Sequence, residues 1–340
     1  MPKPRPTAVF SITSKPKPMA KQGAYNNPVS ATLKGISDLF RSKERVGRLT
    51  EADRLDGKTA LLTGSSSGLG LATAVELARR GAHILMAVRS GIPEKGEYVQ
   101  AKSGSSRVEM LPVDLADLRR IDALVESLKA RNEQLDLVLC NAAVVPRQSR
   151  KTPQGLEEMF MVNYLSKFIL LNRLLDEGLL RPGARIVITS SESHRNPAAF
   201  EWEHFGQYEA YGIQESIARY GYYKLLLTTF ARELSRRIEA RGQHSVFALC
   251  PGPVNSNIAR EAPRAFQPLL RLVFSIFFRS PEAACEPVAY LAASPDLVGR
   301  PFDYLFLMAR KPIDAKAEDE AAGRELWRRS MEVWKGLYDR

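Results

Sequence analysis

The sequence predicts an α/β protein built on a doubly wound parallel sheet. Short apolar runs alternate with longer amphipathic patterns along most of the 340 residues. The first of these runs ends in a Gly/Ser-rich turn that opens a helix, as expected where a strand of a parallel sheet passes into its crossover. No internal repeat or second-domain boundary is visible, so a single domain is expected over residues 51–340.

Each element is predicted from the period of its apolar residues. The runs predicted as strands are 58–63, 82–88, 108–113, 135–140, 184–189 and 245–250. The patterns predicted as helices are 71–80, 115–130, 156–180 and 220–240. A further amphipathic helix is expected over 325–338, where it packs either on the core or in a homodimer.

The first 50 residues form a basic extension. The chain has a net charge of +11, and six Lys or Arg residues but no acidic residue precede Asp38. Disorder is expected for 1–28, and an amphipathic helix for 29–49, which either packs on the body or lies on an anionic membrane surface. The rest of the chain is only mildly basic, so nucleic acid is not an expected partner.

Cysteine and histidine usage favours a reducing compartment and indicates no metal site. The three cysteines are far apart and form no Cys-x-x-Cys pair, and the four histidines show no metal-ligand spacing. No apolar run has the length of a membrane span. The expected location is the cytoplasm, while membrane association and organelle import by the basic N-terminus stay open as alternatives.

A glycine loop follows the first predicted strand, from Thr63 to Gly70. Small residues there let the backbone approach a pyrophosphate, whose charge the N-terminus of the next helix stabilises. The alternative is a turn without a ligand, which the strand–loop–helix context disfavours. The residues predicted to bind a dinucleotide are Gly64, Ser66, Ser67, Gly68, Leu69 and Gly70.

Tyr220 and Lys224 lie one helical turn apart, so both side chains are expected on one face of a helix. An ammonium beside a phenol favours the phenolate, which lowers the pKa of Tyr220 below its ordinary value of about 10. Such a phenol can exchange a proton with an alcohol or carbonyl. The spacing also arises by chance on amphipathic helices, and the pair becomes informative only together with the glycine loop.

In that combination, the Thr-Gly-x-x-x-Gly-x-Gly loop and the Tyr-x-x-x-Lys pair resemble the short-chain dehydrogenase/reductase family over residues 55–310. The resemblance implies a Rossmann-type fold, a nicotinamide cofactor and four catalytic residues. Tyr220 would be the general acid or base, and Lys224 would lower its pKa and bind the nicotinamide ribose. Ser191 would position the substrate oxygen, and Asn163 would hold a water that relays protons towards Lys224.

The resemblance also implies further cofactor contacts, at Asp114, Leu115, Asn141, Ala142, Pro251, Gly252 and Val254. Cys140 and Ala143 depart from the family's usual Asn-Asn-Ala-Gly, and the extra methyl of Ala143 tightens the site. The second predicted strand is followed by Arg89, where an NAD enzyme usually has an acidic residue for the ribose 2′-hydroxyl. Because a guanidinium pairs with a 2′-phosphate, NADP is the expected cofactor and NAD the alternative.

The substrate is predicted from apolar segments near the site. The Ser190-Ser191-x-x-His194 and Tyr220-x-x-x-Lys-Leu-Leu-Leu-x-x-x-x-Arg-Glu-Leu234 patterns are similar to those of the retinol dehydrogenase, WW-domain oxidoreductase and protochlorophyllide reductase branch. Aromatic residues between Ser191 and Tyr220 form either a wall for a bulky substrate or a self-packed loop; they are Phe200, Trp202, Phe205, Tyr208 and Tyr211. The apolar stretch 265–278 is expected to bury against substrate, a partner chain or a membrane surface.

The sequence therefore predicts an NADP-dependent oxidoreductase that acts on CH–OH groups or carbonyls of a lipophilic substrate. Retinoids, steroids and long-chain aldehydes are the compounds expected. A non-catalytic, NADP-binding scaffold or regulatory protein on the same fold is the alternative, because a fold does not determine a function.

Overall fold

The computed structural model describes residues 45–239, 244–252 and 280–338. Its strands are β1 (Thr59–Thr63), β2 (His83–Val88), β3 (Val108–Pro112), β4 (Leu135–Cys140), β5 (Leu180–Thr189), β6 (Ser245–Cys250), β7 (Phe302–Phe306) and β8 (Ala309–Arg310). They form one sheet in the order β3-β2-β1-β4-β5-β6-β7-β8, parallel except for β8. The predicted doubly wound α/β fold is confirmed. β7 and β8 were not predicted, because both are short and lack a clear apolar period.

The α-helices of the described residues lie around this sheet, and the longer ones pack on its two faces. They are α1 (Gly68–Arg79), α2 (Glu94–Ser103), α3 (Leu118–Ala130), α4 (Glu158–Phe160), α5 (Ser166–Asp176), α6 (Ile213–Glu239), α7 (Pro281–Ala284), α8 (Glu286–Ala293), α9 (Ala315–Glu318) and α10 (Glu320–Leu337). The predicted helix 156–180 is interrupted by a π-helical turn, Met161–Leu165, and ends early because the chain enters β5 at Leu180. Helix α6 begins at Ile213, before the predicted start, and its first turns expose Ile213 and Ile217.

Two apolar cores flank the sheet, as the pleat requires, because successive strand residues point to opposite faces. Leu61 of β1 faces the core that contains α3, α5, α6 and α10, whereas Leu62 faces the core that contains α1 and α8. Helix α10 covers the first core with Leu326 and Trp334, and its Ser330 Oγ lies 2.6 Å from the hydroxyl of Tyr164. Of the two interpretations of the C-terminal helix, packing on the core is the one observed.

The N-terminal extension enters the described part of the chain at residue 45. Arg45 forms an isolated antiparallel β-bridge with Ala309, and the Val46 amide donates to the carbonyl of Met308 at 3.0 Å. Residues 45–49 are therefore not helical, contrary to the end of the predicted helix 29–49. The predicted disorder of 1–28, most of that helix and the apolar stretch 265–278 lie outside the described residues.

The topology creates a crevice where the winding of the sheet reverses. β1 pairs with β2 on one side and with β4 on the other, and the chain leaves the carboxyl ends of these strands in opposite directions. Ligands of open α/β sheets bind in the crevice at such a switch point. The candidate active site lies at this edge of the sheet.

Candidate active site

A cleft of about 850 Å³ opens at the carboxyl ends of the central strands. Most predicted site residues line it: Gly64, Ser66, Ser67, Gly68, Leu69, Arg89, Asp114, Leu115, Asn141, Ala142, Ser191, Tyr220, Lys224, Pro251 and Gly252. Gly70 and Asn163 are not among the lining residues but lie directly behind them. Val254 lies outside the described residues. The fold thus brings together residues that are up to 188 positions apart, from Gly64 to Gly252.

The floor of the cleft at β1 is built from closely packed backbone. A Cβ atom added at Gly70 would lie 2.3 Å from the carbonyl oxygen of Gly64 and 2.6 Å from Nδ2 of Asn141. That amide donates to the same carbonyl at 3.1 Å. Gly64 itself has φ +67°, and an added Cβ would meet the backbone of Ala142 at 2.6 Å. Only glycine fits at these two positions.

The N-terminus of α1 faces this floor. Its N-cap residue, Ser67, makes no side-chain capping hydrogen bond, so the first amide groups of the helix are left for a ligand. Unpaired amide groups and the helix dipole together favour a phosphate anion. A tight glycine floor and an uncapped helix start fit the pyrophosphate of a dinucleotide.

Positively charged side chains line the cleft beyond the end of β2. Arg89 is exposed there, and Lys95 of α2 lines the same region together with Ser66, Ser90 and Gly91. Lys95 was not predicted because α2 itself was not, its pattern being largely polar. Asp114 is the one carboxylate among the described lining residues, and its Oδ1 accepts from the amide of Ala116 at 2.9 Å.

Tyr220 and Lys224 both face the cleft from α6. The Lys224 ammonium lies 5.6 Å from the centre of the Tyr220 ring and donates to the carbonyl oxygen of Thr189 at 2.7 Å. Burial lowers the pKa of Lys224 to about 8, while the thiol of Cys250 raises it. Lys224 therefore changes charge around pH 8.

The predicted lowering of the pKa of Tyr220 is not found. Burial raises it, Cys250 raises it further, and a hydrogen bond from the Ser191 side chain only partly offsets these effects. A phenolate in this partly buried position would be less well hydrated than in water, and the ammonium of Lys224 donates to the carbonyl of Thr189 instead of the phenol. Tyr220 therefore holds its proton through neutral pH, which suits a proton donor.

The two neighbouring serines have different environments. The Ser190 hydroxyl is buried and lies 2.5 Å from that of Thr228, whereas Ser191 faces the cleft and caps the short helical turn Glu192–Arg195. Its Oγ accepts from the amide of Ser193 at 3.2 Å. Both serines line the cleft, but the Ser190 hydroxyl is engaged with Thr228, so the Ser191 hydroxyl is the better placed of the two to reach a substrate oxygen near Tyr220.

Asn163 lies in the π-helical turn and ties it to the loop after β4. Its Oδ1 accepts from the amide of Val144 and its Nδ2 donates to the carbonyl of Val144, both at 2.8 Å. These two bonds occupy the amide acceptor and one of its donors. The observed contribution of this side chain is to hold Val144, which lines the cleft, and its role in holding a relay water stays a prediction.

His194 is a buried structural residue that supports Ser191. Its Nδ1 lies 2.7 Å from the carbonyl of Ser191, and its Nε2 accepts from the amide of Asp314 at 3.1 Å. The Asp314 contact requires an unprotonated Nε2, so Nδ1 carries the proton and donates. Burial and the nearby Arg195 lower the pKa of His194 to about 4.

The aromatic insertion packs on itself and on the core. The rings of Phe200 and Trp202 stack at 4.7 Å, and the guanidinium of Arg329 from α10 lies over Trp202. The ring of Phe205 meets that of Phe160 edge-on at 5.4 Å. None of these aromatic residues lines the described cleft. In the described part of the chain these rings pack as the self-packed alternative expects, and the aromatic substrate wall stays a prediction.

Sequence reasoning missed several lining residues, namely Lys95, Val144, Val145, Pro146, Arg150, Val162 and Cys250. Residues 144–146 come shortly after the Asn141-Ala142 pair, so that motif could have predicted their position. Cys250 precedes the Pro251-Gly252 turn and was considered only as a possible disulfide or metal ligand. Arg150 forms a salt bridge with Glu158, and no local sequence pattern predicts this contact.

Comparison with known proteins identifies the family. The short chain dehydrogenase family matches residues 58–210. Human retinol dehydrogenase 14 (Homo sapiens) is 33% identical over 313 residues, which span 86% of this chain and 91% of that protein. The chain belongs to the short-chain dehydrogenase family. The WW domain-containing oxidoreductase of Danio rerio is 32% identical over 284 residues, spanning 80% of this chain and 67% of that protein.

A solved structure similar to this chain contains a nicotinamide cofactor. The angucycline C-6 ketoreductase LanV, solved with bound NADP, has a TM-score of 0.56 and 25% identity, and the match covers 75% of this chain and 95% of that one. This short-chain dehydrogenase is thus an oxidoreductase that acts on CH–OH groups with a nicotinamide cofactor, related to the retinol dehydrogenases. Among the described residues, no helix combines the length and the apolar character needed to cross a membrane.

Proposed function

We propose that the protein is an NADP(H)-dependent oxidoreductase for a lipophilic carbonyl or alcohol, with Tyr220 as its general acid or base. The observation that carries the proposal is that Tyr220, Lys224 and Ser191 face the same cleft as the glycine floor and the start of α1. A bound nicotinamide supplies the hydride chemistry, and the protein supplies position and charge.

The roles of the side chains follow from their contacts. The Ser191 hydroxyl and the Tyr220 phenol converge on one region, where they can bind a substrate carbonyl oxygen. Tyr220 keeps its proton at neutral pH because burial raises its pKa, so it can protonate the oxygen as negative charge develops there. Lys224 places an ammonium beside the phenol and stabilises the phenolate that remains.

The preference for NADP rests on charge. Arg89 and Lys95 line the end of the cleft beyond β2, and in the described part of the chain that region has no carboxylate to bind a ribose 2′-hydroxyl. A planar guanidinium pairs well with a phosphate dianion. A lipophilic substrate is supported by the apolar side chains of Val144, Val145 and Pro146 along the wall, and by the names of the retinol dehydrogenases that the chain resembles.

The test is an NADPH-oxidation screen of the full chain against retinal, steroid ketones and long-chain aldehydes, with small polar ketones for comparison. At least one lipophilic carbonyl is expected to react far faster than the small polar ones. Tyr220→Phe should still bind NADPH but lose activity by about 100-fold or more, because the proton donor is gone. Full activity of that variant would remove the mechanism, and NADPH binding without any turnover would favour the non-catalytic alternative.

A further inference from the structure

A second buried lysine, Lys167, lies behind the wall of the cleft. It is in the first turn of α5, one helical turn after Asn163, and its side chain is 1% exposed. Its Nζ donates to the carbonyl of Ala142 at 2.7 Å and also to the carbonyl of Val162. Ala142 and Val162 both line the cleft, whereas Lys167 does not. The ammonium is thus separated from the cleft by one layer of backbone.

Lys167 is close to the reacting end of the cleft. The charge of Lys224 acts on it, and the Cys140 thiol at the end of β4 acts on it in the opposite direction. These are the two titratable groups that act on it from the neighbouring elements, α6 and β4. Ala142 follows Asn141, whose Oδ1 accepts from Thr189 at 3.4 Å, and Thr189 is the residue that binds Lys224. The Lys167 ammonium therefore lies behind the region where a nicotinamide must meet Tyr220.

A fixed charge at this place distinguishes the two redox forms of the cofactor. The oxidised nicotinamide ring is cationic and the reduced ring is neutral, while the phosphates of the two forms are the same. We propose that the Lys167 ammonium disfavours the oxidised ring and so biases this site towards binding NADPH and reducing carbonyls. The inference rests on the proposed function, because it requires a nicotinamide beside Tyr220.

The bias is expected to depend on pH. Burial lowers the pKa of Lys167 to about 7, the charge of Lys224 lowers it further, and Cys140 raises it. The amine is therefore charged below about pH 7 and largely neutral above it. A cationic ring nearby makes the proton of Lys167 easier to lose, so NADP⁺ binding should release more protons near pH 7 than NADPH binding does.

The experiment measures equilibrium binding of NADPH and NADP⁺ to the full chain by calorimetry, at pH 6 and pH 8 and in buffers of different ionisation enthalpy. Lys167→Met removes the charge and keeps the length of the side chain. At pH 6, the affinity for NADP⁺ relative to that for NADPH should rise by roughly 10-fold, as expected for loss of one partly buried charge. The excess proton release on NADP⁺ binding should decrease with it, and the part that remains belongs to Lys224, whose pKa is about 8.

A second variant separates charge from hydrogen bonding. Lys167→Gln can still donate to the Ala142 carbonyl but has no charge, so it should shift the ratio as Lys167→Met does. If it instead restores the wild-type ratio, Lys167 acts only by holding Ala142 and the proposal is overturned. Lys335→Met, at an exposed position of α10, changes the net charge equally and should leave the ratio unchanged.

Failure of the proposed function would look different. Should the unaltered chain bind neither form, the dinucleotide site itself is refuted, and this inference falls with it. Should both forms bind with a ratio that neither Lys167 variant changes at pH 6, the nicotinamide site stands and the role of Lys167 is refuted. Thermal melting of each variant reports whether it is folded. The pH dependence of proton release is measured on the unaltered chain, so it does not depend on the folding of any variant.

Discussion

The two ends of the cleft are built in different ways. At the glycine floor, the contacts are between backbone atoms, and an added methyl group at Gly70 would have 2.3 Å to the nearest carbonyl oxygen. At the reacting end, the important groups are buried side chains whose charge depends on pH, above all Lys224 and Lys167. We therefore expect the first end to recognise a ligand by shape and the second to act through proton transfer. Substitutions that add volume should therefore impair the glycine floor, whereas changes of pH should impair the reacting end.

The largest effect is expected at the reacting end, from Lys224→Met. Loss of the ammonium should lower kcat for carbonyl reduction by about 10²- to 10⁴-fold. The unaltered enzyme should lose activity as pH rises through about 8, because burial sets the pKa of Lys224 there. Tyr220 has a raised pKa and stays protonated over this range, so the loss reports Lys224.

Steady-state rates from pH 6 to pH 10 test this assignment. Lys224→Arg keeps its charge at high pH and should move the alkaline loss to higher pH, even if its rate is lower. A loss of activity near pH 8 that persists unchanged in the residual activity of Lys224→Met would assign the ionisation to another group.

At the glycine end, Gly70→Ala should weaken cofactor binding by about 10- to 100-fold, as expected where a methyl group is forced against backbone. The added atom would press on the Gly64 carbonyl and on Asn141, neither of which can move without disturbing β1 or β4. Fluorescence titration with NADPH measures the change. Gly336→Ala is the matched control, because its added methyl group meets nothing within 4 Å. Equal affinities in both variants would contradict the shape-based account.

The sequence predicted these two ends unequally well. Gly64, Gly70, Tyr220 and Lys224 belong to local patterns of fixed spacing, so their positions follow from the order of residues alone. The pKa of Tyr220 was predicted in the wrong direction, because the local pattern contains the lysine but not the burial of the phenol. Desolvation is produced by the whole fold, and a four-residue spacing carries no information about it.

Contacts between distant segments were the second source of error. Lys167 was not singled out, since nothing in its own helix indicates that it reaches the carbonyl of Ala142 across the loop after β4. The ring of Trp202 was a candidate for the substrate wall, yet it stacks on Phe200 under Arg329 of α10. An aromatic residue in an insertion looks the same in sequence whether it faces a ligand or the C-terminal helix.

A smaller effect is expected for the discrimination between cofactors. Arg89→Ala should raise the KM for NADPH by about 10-fold, since a charge-assisted hydrogen bond contributes about 1.5–3 kcal/mol when well placed. The KM for NADH should change little, because it has no 2′-phosphate. Arg79→Ala, on the exposed face of α1, removes the same charge away from the cleft and serves as the control. A parallel rise of both KM values would argue against pairing of Arg89 with a 2′-phosphate.

The smallest effect concerns the stability of the reacting end at low pH. Burial and Arg195 lower the pKa of His194 from 6.5 to about 4 in the folded chain, so unfolding takes up a proton between these values. The stabilisation by neutral His194 is complete above pH 6.5 and is lost as pH falls towards 4. Between pH 7 and pH 5.5 this amounts to about 1 kcal/mol of unfolding free energy.

Urea denaturation of His194→Gln at these two pH values measures the contribution of this histidine. The decrease in unfolding free energy from pH 7 to pH 5.5 should be about 1 kcal/mol smaller than in the unaltered chain. His204→Gln, at an exposed position, should leave the decrease unchanged. Protonation at Nε2 breaks the contact with the Asp314 amide, and this contact helps to fix the ring that donates to the carbonyl of Ser191. Activity should therefore fall at low pH before global unfolding begins, and coincident loss of both would mean that His194 stabilises the whole domain and not the reacting end.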